Sequence, residues 1–336
     1  MKAPAFWYDR SPNWVAKLLL PFGVLYGALT ARRMARKGRR AAVPVICIGN
    51  FTAGGAGKTP TAIALARALQ QAGEAPVFLT RGYGGTARGV VAVVPGHHDA
   101  AAVGDEALLL AAIAPTVVAA DRVAGAAAAT AAGASVILMD DGLQNPALAK
   151  DFTLVVVDGG VGFGNGLCMP AGPLRAPVEA QVPFVDAVLA IGMGKGITEA
   201  VAAAGLQQKP AFRANLSVDE AIADRLAGSR VLAFAGIGRP EKFFETLMGL
   251  YVKIELPRPY PDHHPYSEAD AAEILALAEA SGLTPVTTEK DRVRLTGGPM
   301  RDKLAAAAVV LPVTVPLPDD LVALVTAKLS LVRGGA

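Results

Sequence analysis

Cysteine and histidine are scarce in this chain: 336 residues contain 2 Cys and 4 His. Cys47 and Cys168 stand 121 positions apart, with no second Cys or His at ligand spacing, which argues against a structural zinc site and against a disulfide scaffold. Such cysteine usage fits a reduced, intracellular compartment. Charge is sparse too, at 18% of residues against 52% hydrophobic, so the chain has ample apolar content to fold and is not disordered. Its length exceeds what one hydrophobic core usually supports and implies about two domains.

The charge that is present is unevenly placed. Residues 1–40 hold nine Lys/Arg against one acid, Asp9, which leaves 23 basic and 28 acidic residues, a net of −5, for the remaining 296. The body therefore lacks the basic surface expected of a nucleic-acid-binding protein, and no nucleic acid partner is expected. In the head, residues 14–31 (WVAKLLLPFGVLYGALTA) form an apolar stretch broken by Lys17 and Pro21, with Trp14, Leu18, Phe22, Leu25 and Leu29 at helical spacing. Arg32, Arg33, Arg36, Lys37, Arg39 and Arg40 follow at once. A cleavable signal peptide would carry its positive charge before the apolar run, and a transmembrane span would sit at the short limit of length. The pattern best fits a helix lying in a membrane surface, apolar side down, with the basic cluster on anionic headgroups. A basic amphipathic helix packed on its own protein is the alternative.

Behind the head, an apolar run at 45–48 enters GNFTAGGAGKTP (49–60), and a helical stretch follows to Gly73. Strand, glycine loop and helix are the context of a phosphate-binding P-loop. Thr52, Ala53, Gly54, Gly55, Ala56 and Gly57 would let backbone N–H groups close around phosphate oxygens, while Lys58 adds a point charge and Thr59 can ligate Mg²⁺. One departure stands out: the usual motif has glycine where this chain has Thr52. The run 136–139 ends in Asp140 and Asp141, as in the strand that holds the metal in such proteins, although an Asp-Gly turn would read alike. Asp105 and Glu106 open a further helical stretch. They could cap it, or they could serve a kinase as hydroxyl base and metal ligand.

Apolar runs at 45–48, 77–80, 117–119, 136–139 and 154–157 alternate with Ala/Leu-rich helical stretches, which predicts a doubly wound, mostly parallel α/β sheet. Ligands bind such sheets beyond the carboxyl ends of the strands, where every motif above lies. A second alternation beyond about residue 215 predicts a smaller α/β lobe, so the chain divides into a head (1–40), a P-loop core (41–215) and a small lobe (216–336). GIGRP (236–240) lacks the third glycine of a dinucleotide turn and predicts no second nucleotide site. The Gly/Pro-rich run 162–175 is long for a structureless loop and is read as acceptor-binding. His97 and His98, in a polar loop, are read as exposed and without function.

Taken in order, GNFTAGGAGKTP, TRGYGG (80–85), GDE (104–106), MDDGLQN (139–145), PAGPLR (170–175), GIGRP, DHHPYS (262–267) and TTEKD (287–291), behind a basic apolar head, resemble the tetraacyldisaccharide 4′-kinase family, the lipid A kinases of Gram-negative bacteria. The resemblance spans essentially the whole chain. It implies transfer of phosphate from ATP, with Mg²⁺, to the 4′-hydroxyl of a tetraacylated glucosamine disaccharide at the cytoplasmic face of the inner membrane, with no obligate protein partner. By that similarity Lys58 and Thr59 hold the ATP phosphates and Mg²⁺, Glu106 and Asp141 help place the metal, and Asp105 is the base. His263 supports Asp105 in preference to His264, and closure of two lobes joined by a β linker would bring the pair together. Arg81, Asn165 and Arg175 are candidate substrate contacts. Two positions depart from the family: Asn145 where it usually has His, and Ala176 where it has Glu. On spacing alone His263 would be an ordinary loop residue ahead of a helix cap.

Two other classes share the loop. Membrane-associated switch ATPases carry a signature Lys just before the paired glycines, where this chain has Ala53, and their membrane helix is usually C-terminal. A small-molecule P-loop kinase or synthetase would leave the basic apolar head unexplained.

Overall fold

The computed structural model describes residues 4–9 and 11–334. Its larger sheet is built from β1 (Val45–Gly49), β2 (Pro76–Thr80), β3 (Val90–Ala92), β4 (Thr116–Ala119), β5 (Val136–Asp140), β6 (Phe152–Asp158), β7 (Ala187–Ile191) and β8 (Ala211–Ala214). Spatial order is β3-β4-β2-β5-β1-β6-β7-β8, parallel except for β3, which runs antiparallel to β4. Alternate residues of the buried strands feed opposite faces. Ile46, Ile48, Leu154 and Val156 pack on one side with Leu65 and Leu69; Val155 and Val157 pack on the other, as do Val45 and Cys47. Such two-sided burial is why these strands read as continuous apolar runs. Strand order reverses at β1, so the loop after β1 sits where a doubly wound sheet opens a crevice.

A two-stranded linker joins the lobes: β9 (Ser217–Val218) pairs antiparallel with a strand that returns near the end of the chain. The second lobe carries β10 (Arg230–Ala235), β11 (Lys253–Pro259), β12 (Thr284–Thr288) and β13 (Val309–Leu311), ordered β11-β10-β12-β13 and parallel throughout. The linker's other half is β14 (Val313–Thr314). Its carboxyl strand ends face those of the first lobe, which places the two sets of loops against each other.

The structure corrects the boundary expected at 216–336. Helix Asp319–Gly334 does not belong to the small lobe: its Leu321, Val325 and Leu329 pack with Leu65 and Leu69 on the large sheet. Arg333 fastens its end to Glu74 through two hydrogen bonds of 2.6 and 2.7 Å. The small lobe is thus an insertion between the two linker strands, and the chain returns to the P-loop lobe to finish.

The N-terminal helix runs Trp14–Met34, through Pro21 and into the arginines. Its protein-facing side is small: Gly23 and Gly27 lie so close to the 168–177 segment that an added Cβ would meet Cys168 O at 2.6 Å and Cys168 Sγ at 2.8 Å. The large residues face outward, with Trp14 75%, Leu18 67%, Phe22 62%, Leu25 59% and Leu29 59% exposed. The helix thus packs on its own protein through glycines and leaves its apolar stripe unpartnered among the described residues. The basic residues at 32, 33, 36, 37, 39 and 40 are all exposed.

Candidate active site

The glycine loop follows β1 and ends at Gly57, which caps helix Lys58–Gln71 with φ 94°. Only glycine suits that position, because its backbone is left-handed and a Cβ would press on Ile191 Cδ1 at 2.9 Å. Gly54 is likewise left-handed, φ 116°, and Gly54 and Gly55 are exposed while Ala56 is buried. Thr52 explains its own departure from the motif. It forms an antiparallel bridge with Leu174, flanked by Ala53 N–H donating to Pro173 O (2.7 Å) and Arg175 N–H donating to Phe51 O (2.9 Å). Extended, bridged backbone needs no glycine. Thr59 is buried one residue into the helix.

The loop's base rests on a buried amide network that the sequence did not disclose. Gln144 Nε2 donates to Asn50 O and to Gln181 Oε1, both at 2.8 Å, and Gln181 Nε2 donates to Ala176 O at 2.6 Å. Ala176, the second departure from the family, is fully buried in this network. Asn145, the first, accepts from Ala147 N–H at 2.9 Å and serves its own turn.

At the end of β5 the two carboxylates part ways. Arg175 donates to Asp141 from both Nη atoms, at 2.8 and 2.9 Å, and Lys58 Nζ lies 3.7 Å from it. Burial works to raise the Asp141 pKa, but Lys58 and Arg175 hold it down to about 2. Asp140 is buried, and its Oδ1 has no hydrogen-bond partner among the described residues. Burial, reinforced by the Glu106 charge, pushes its carboxyl up to about 7. A buried acid raised by a second acid, with one oxygen unpartnered, fits a divalent cation. Mg²⁺ commonly takes one or two carboxylates plus phosphate oxygens and waters, so a site built on Asp140, Glu106 and Thr59 suits it. Asp141, the carboxylate expected at the metal, here pairs with Lys58 and with Arg175, the candidate substrate contact.

Asp105 opens helix Asp105–Ala111, capped by Gly104, with its side chain only 2% exposed. Its Oδ1 accepts from Glu106 N–H at 2.8 Å. Its Oδ2 lies 2.9 Å from His263 Nδ1 and 3.2 Å from Arg294 Nε, both from the small lobe. Burial would raise the Asp105 pKa, yet the His263 hydrogen bond and Lys290 bring it below the usual range, while Asp105 raises that of His263. His263 takes a left-handed φ of 56°, pinned by its N–H on Gly236 O at 3.0 Å, and Tyr83 lies over its ring at 5.3 Å. His264 points elsewhere, 3.1 Å from Asp270 and stacked on Tyr260.

Glu106 pairs with Lys290 Nζ at 2.6 Å, again across the lobes; burial opposes its ionisation, but Lys290 holds its pKa low. Lys290 and Arg294 belong to the TTEKD segment and the turn after it. Arg294 lies 3.4 Å from Asp291, fully buried, which accepts from Gly236 N–H at 2.7 Å and Tyr266 O–H at 2.8 Å. No sequence signal short of the motif itself marked these three residues.

The other two candidate substrate contacts are Asn165 and Arg81. Asn165 is bound to main chain: its Nδ2 donates to Ala171 O at 3.0 Å and Phe6 O at 3.3 Å, and its backbone N–H to Trp7 O at 2.7 Å. It straps the segment Ala5–Tyr8 over the loop rather than presenting a free amide. Arg81, just past β2, is exposed at the rim of the cleft.

A glycine loop at the switch point, carboxylates at neighbouring strand ends and a buried Asp–His pair facing it define a two-lobed P-loop kinase. The family model described as tetraacyldisaccharide-1-P 4′-kinase, LpxK, matches residues 15–330, and the chain belongs to that family. It is 55% identical over 340 residues to the tetraacyldisaccharide 4′-kinase of Methylobacterium sp. (strain 4-46), covering 100% of this chain and 99% of that one. Identity to the Methylobacterium nodulans enzyme of the same name is 54% over 330 residues, 98% and 96% of the two chains. A crystal structure of LpxK from Aquifex aeolicus, in complex with ATP, shares the fold with a TM-score of 0.72 at 24% identity, over 94% of this chain and 99% of that one.

Proposed function

We propose that this protein uses ATP and Mg²⁺ to phosphorylate the 4′-hydroxyl of a tetraacylated glucosamine disaccharide 1-phosphate, working at the cytoplasmic face of the inner membrane. The observation that carries the reading is Asp105: a buried, ionised carboxylate beside the P-loop lobe's cation site, held at 2.9 Å by a histidine of the other lobe.

The backbone N–H groups of residues 53–57 and the Lys58 ammonium receive the phosphates of ATP. Asp140, Glu106 and Thr59 would hold Mg²⁺, which when bound would neutralise charge on the phosphate oxygens. Asp105 accepts the proton of the acceptor hydroxyl as that oxygen attacks the γ-phosphorus and the bond to the β,γ-bridging oxygen breaks, releasing ADP. His263 orients Asp105 and stabilises its charge, and Arg294 does the same from the other side, so the base stays ionised in a setting that desolvation would otherwise neutralise. Because His263, Lys290 and Arg294 all come from the small lobe, docking of the lobes supplies the charged partners of Asp105 and Glu106 together.

The test follows radiolabelled γ-phosphate from Mg·ATP into the tetraacylated disaccharide 1-phosphate in mixed micelles. Label in the lipid product is expected. Hydrolysis of ATP with no labelled lipid from folded protein would overturn the assignment in favour of a switch ATPase.

For the membrane, the support is the outward apolar stripe of helix Trp14–Met34 running into exposed arginines. A helix of this kind binds by apolar insertion plus attraction to anionic lipid. Deleting residues 1–40 is expected to release the protein from vesicles containing anionic lipid in a flotation assay, while the P-loop core stays folded. Unchanged flotation after that deletion rejects the helix as the anchor.

A further inference from the structure

Away from the Asp105 region, the small lobe also approaches the glycine loop. A small cleft beside the loop is lined by Tyr8, Ala53, Gly54, Gly55 and Asp158 from the large lobe, and by Arg239 from the small one. Arg239 lies in the turn between β10 and helix Pro240–Gly249. Its Nη1 donates to Asp158 Oδ2 at 3.1 Å, and Lys242 Nζ, from the same helix, donates to that same oxygen at 3.1 Å. The other oxygen of Asp158 accepts from Gly160 N–H at 2.8 Å and Val161 N–H at 3.2 Å.

One carboxylate thus faces two cations, and the surplus positive charge lies at the mouth of a loop built to receive phosphate. Asp158 is saturated, with its side chain 5% exposed, whereas that of Arg239 is 31% exposed and uses only one of its two Nη atoms here. A guanidinium is planar and bidentate, well matched to phosphate oxygens. Position 53 sharpens the argument. P-loop proteins of the switch class place a lysine there, before the paired glycines, and this chain has alanine, too short to reach a phosphate; Arg239 lines the same cleft from the opposite lobe.

We propose that Arg239 is a phosphate-binding residue lent by the small lobe, which turns from Asp158 to the terminal phosphates of a nucleoside triphosphate held in the glycine loop. The inference rests on the reading of that loop as the ATP site. The exchange is inexpensive because Lys242 shares the Asp158 oxygen and remains when Arg239 leaves, so the buried acid is never left unpaired. Nucleotide arrival thereby pulls on the turn that also anchors His263, since Gly236 O holds the His263 N–H.

The experiment measures equilibrium binding of a fluorescent non-hydrolysable ATP analogue with Mg²⁺ to the full chain, with AMP by competition. Wild type is compared with Arg239→Ala, Arg239→Lys and Asp158→Asn. Loss of one charge-assisted contact predicts roughly 10–100-fold weaker binding of the triphosphate analogue to Arg239→Ala, little change for AMP, and partial recovery in Arg239→Lys. Asp158→Asn retains the arginine but frees it, and should bind the analogue as tightly as wild type or tighter. Equal weakening by Arg239→Ala and Asp158→Asn, or equal loss for AMP and the triphosphate, overturns the proposal in favour of a clasp that only docks the lobes. Tight wild-type binding indifferent to Arg239→Ala overturns it as well and leaves the ATP site standing. Wild-type protein that binds no analogue overturns the ATP reading and this inference together.

Discussion

Lys58→Ala should lower kcat by about 10³-fold or more. Removing one preorganised charge from the developing transition state typically costs 10²–10³-fold, and here the lost charge has further work. Lys58 holds down the Asp141 carboxyl and opposes the charges of Glu106 and Asp140. Without it, the carboxylates of this cleft would face the negative charge of ATP with only the metal, Arg175 and Lys290 to offset it, so KM for Mg·ATP should rise as kcat falls. Asp140→Asn is expected to give a comparable kcat loss by a different route. It preserves shape and removes the unpartnered anionic oxygen, so the loss should be relieved in part by raising free Mg²⁺. Initial rates across ATP and Mg²⁺ concentrations check both. A Lys58→Ala enzyme within tenfold of wild type, or an Asp140→Asn enzyme indifferent to Mg²⁺, would remove these residues from the roles given them.

Where information is local, the chain discloses it. Apolar runs ending in glycine or aspartate located β1, β5 and β6, and the functional loops lie at carboxyl strand ends because a doubly wound sheet puts them there. The choice between Asp140 and Asp141 is not local in that sense. Adjacent residues at a strand end point to different surroundings, and it takes Arg175, 34 positions on, to claim Asp141 and leave Asp140 unpartnered. Thr52 looked like a defect in the motif until its bridge to Leu174 supplied the extended backbone that makes glycine unnecessary. The N-terminal helix was legible in part. Its large apolar residues marked the exposed face, whereas the side that packs on the protein gave no apolar signal, because two glycines let it approach the Cys168 segment. Pairs between lobes are the least legible of all. His263 with Asp105 spans 158 positions and Lys290 with Glu106 spans 184, so neither has a spacing rule, and only docking of the two sheets brings them together.

Those docked pairs make a prediction about Asp105 that a lone base would not. Asp105→Asn keeps the side chain's volume and removes its basicity, and kcat should fall about 10²–10⁴-fold, the range for general-base assistance. His263→Ala should cost less, about 10–10²-fold as a fraction of that range, because Arg294 Nε at 3.2 Å and the Lys290 charge continue to favour the ionised carboxylate. Histidine here acts through the aspartate. If so, the double variant Asp105→Asn/His263→Ala is no slower than Asp105→Asn alone, the non-additivity expected of residues that serve one function. Steady-state rates of the four proteins at saturating Mg·ATP and acceptor decide it. Losses that multiply would mean that His263 takes the proton or touches substrate on its own account, and the 2.9 Å contact would then be a structural tie between the lobes. Binding of the ATP analogue should be nearly unchanged in all four, since neither side chain lines the glycine loop; a parallel loss of binding would instead trace the effect to lobes that no longer dock.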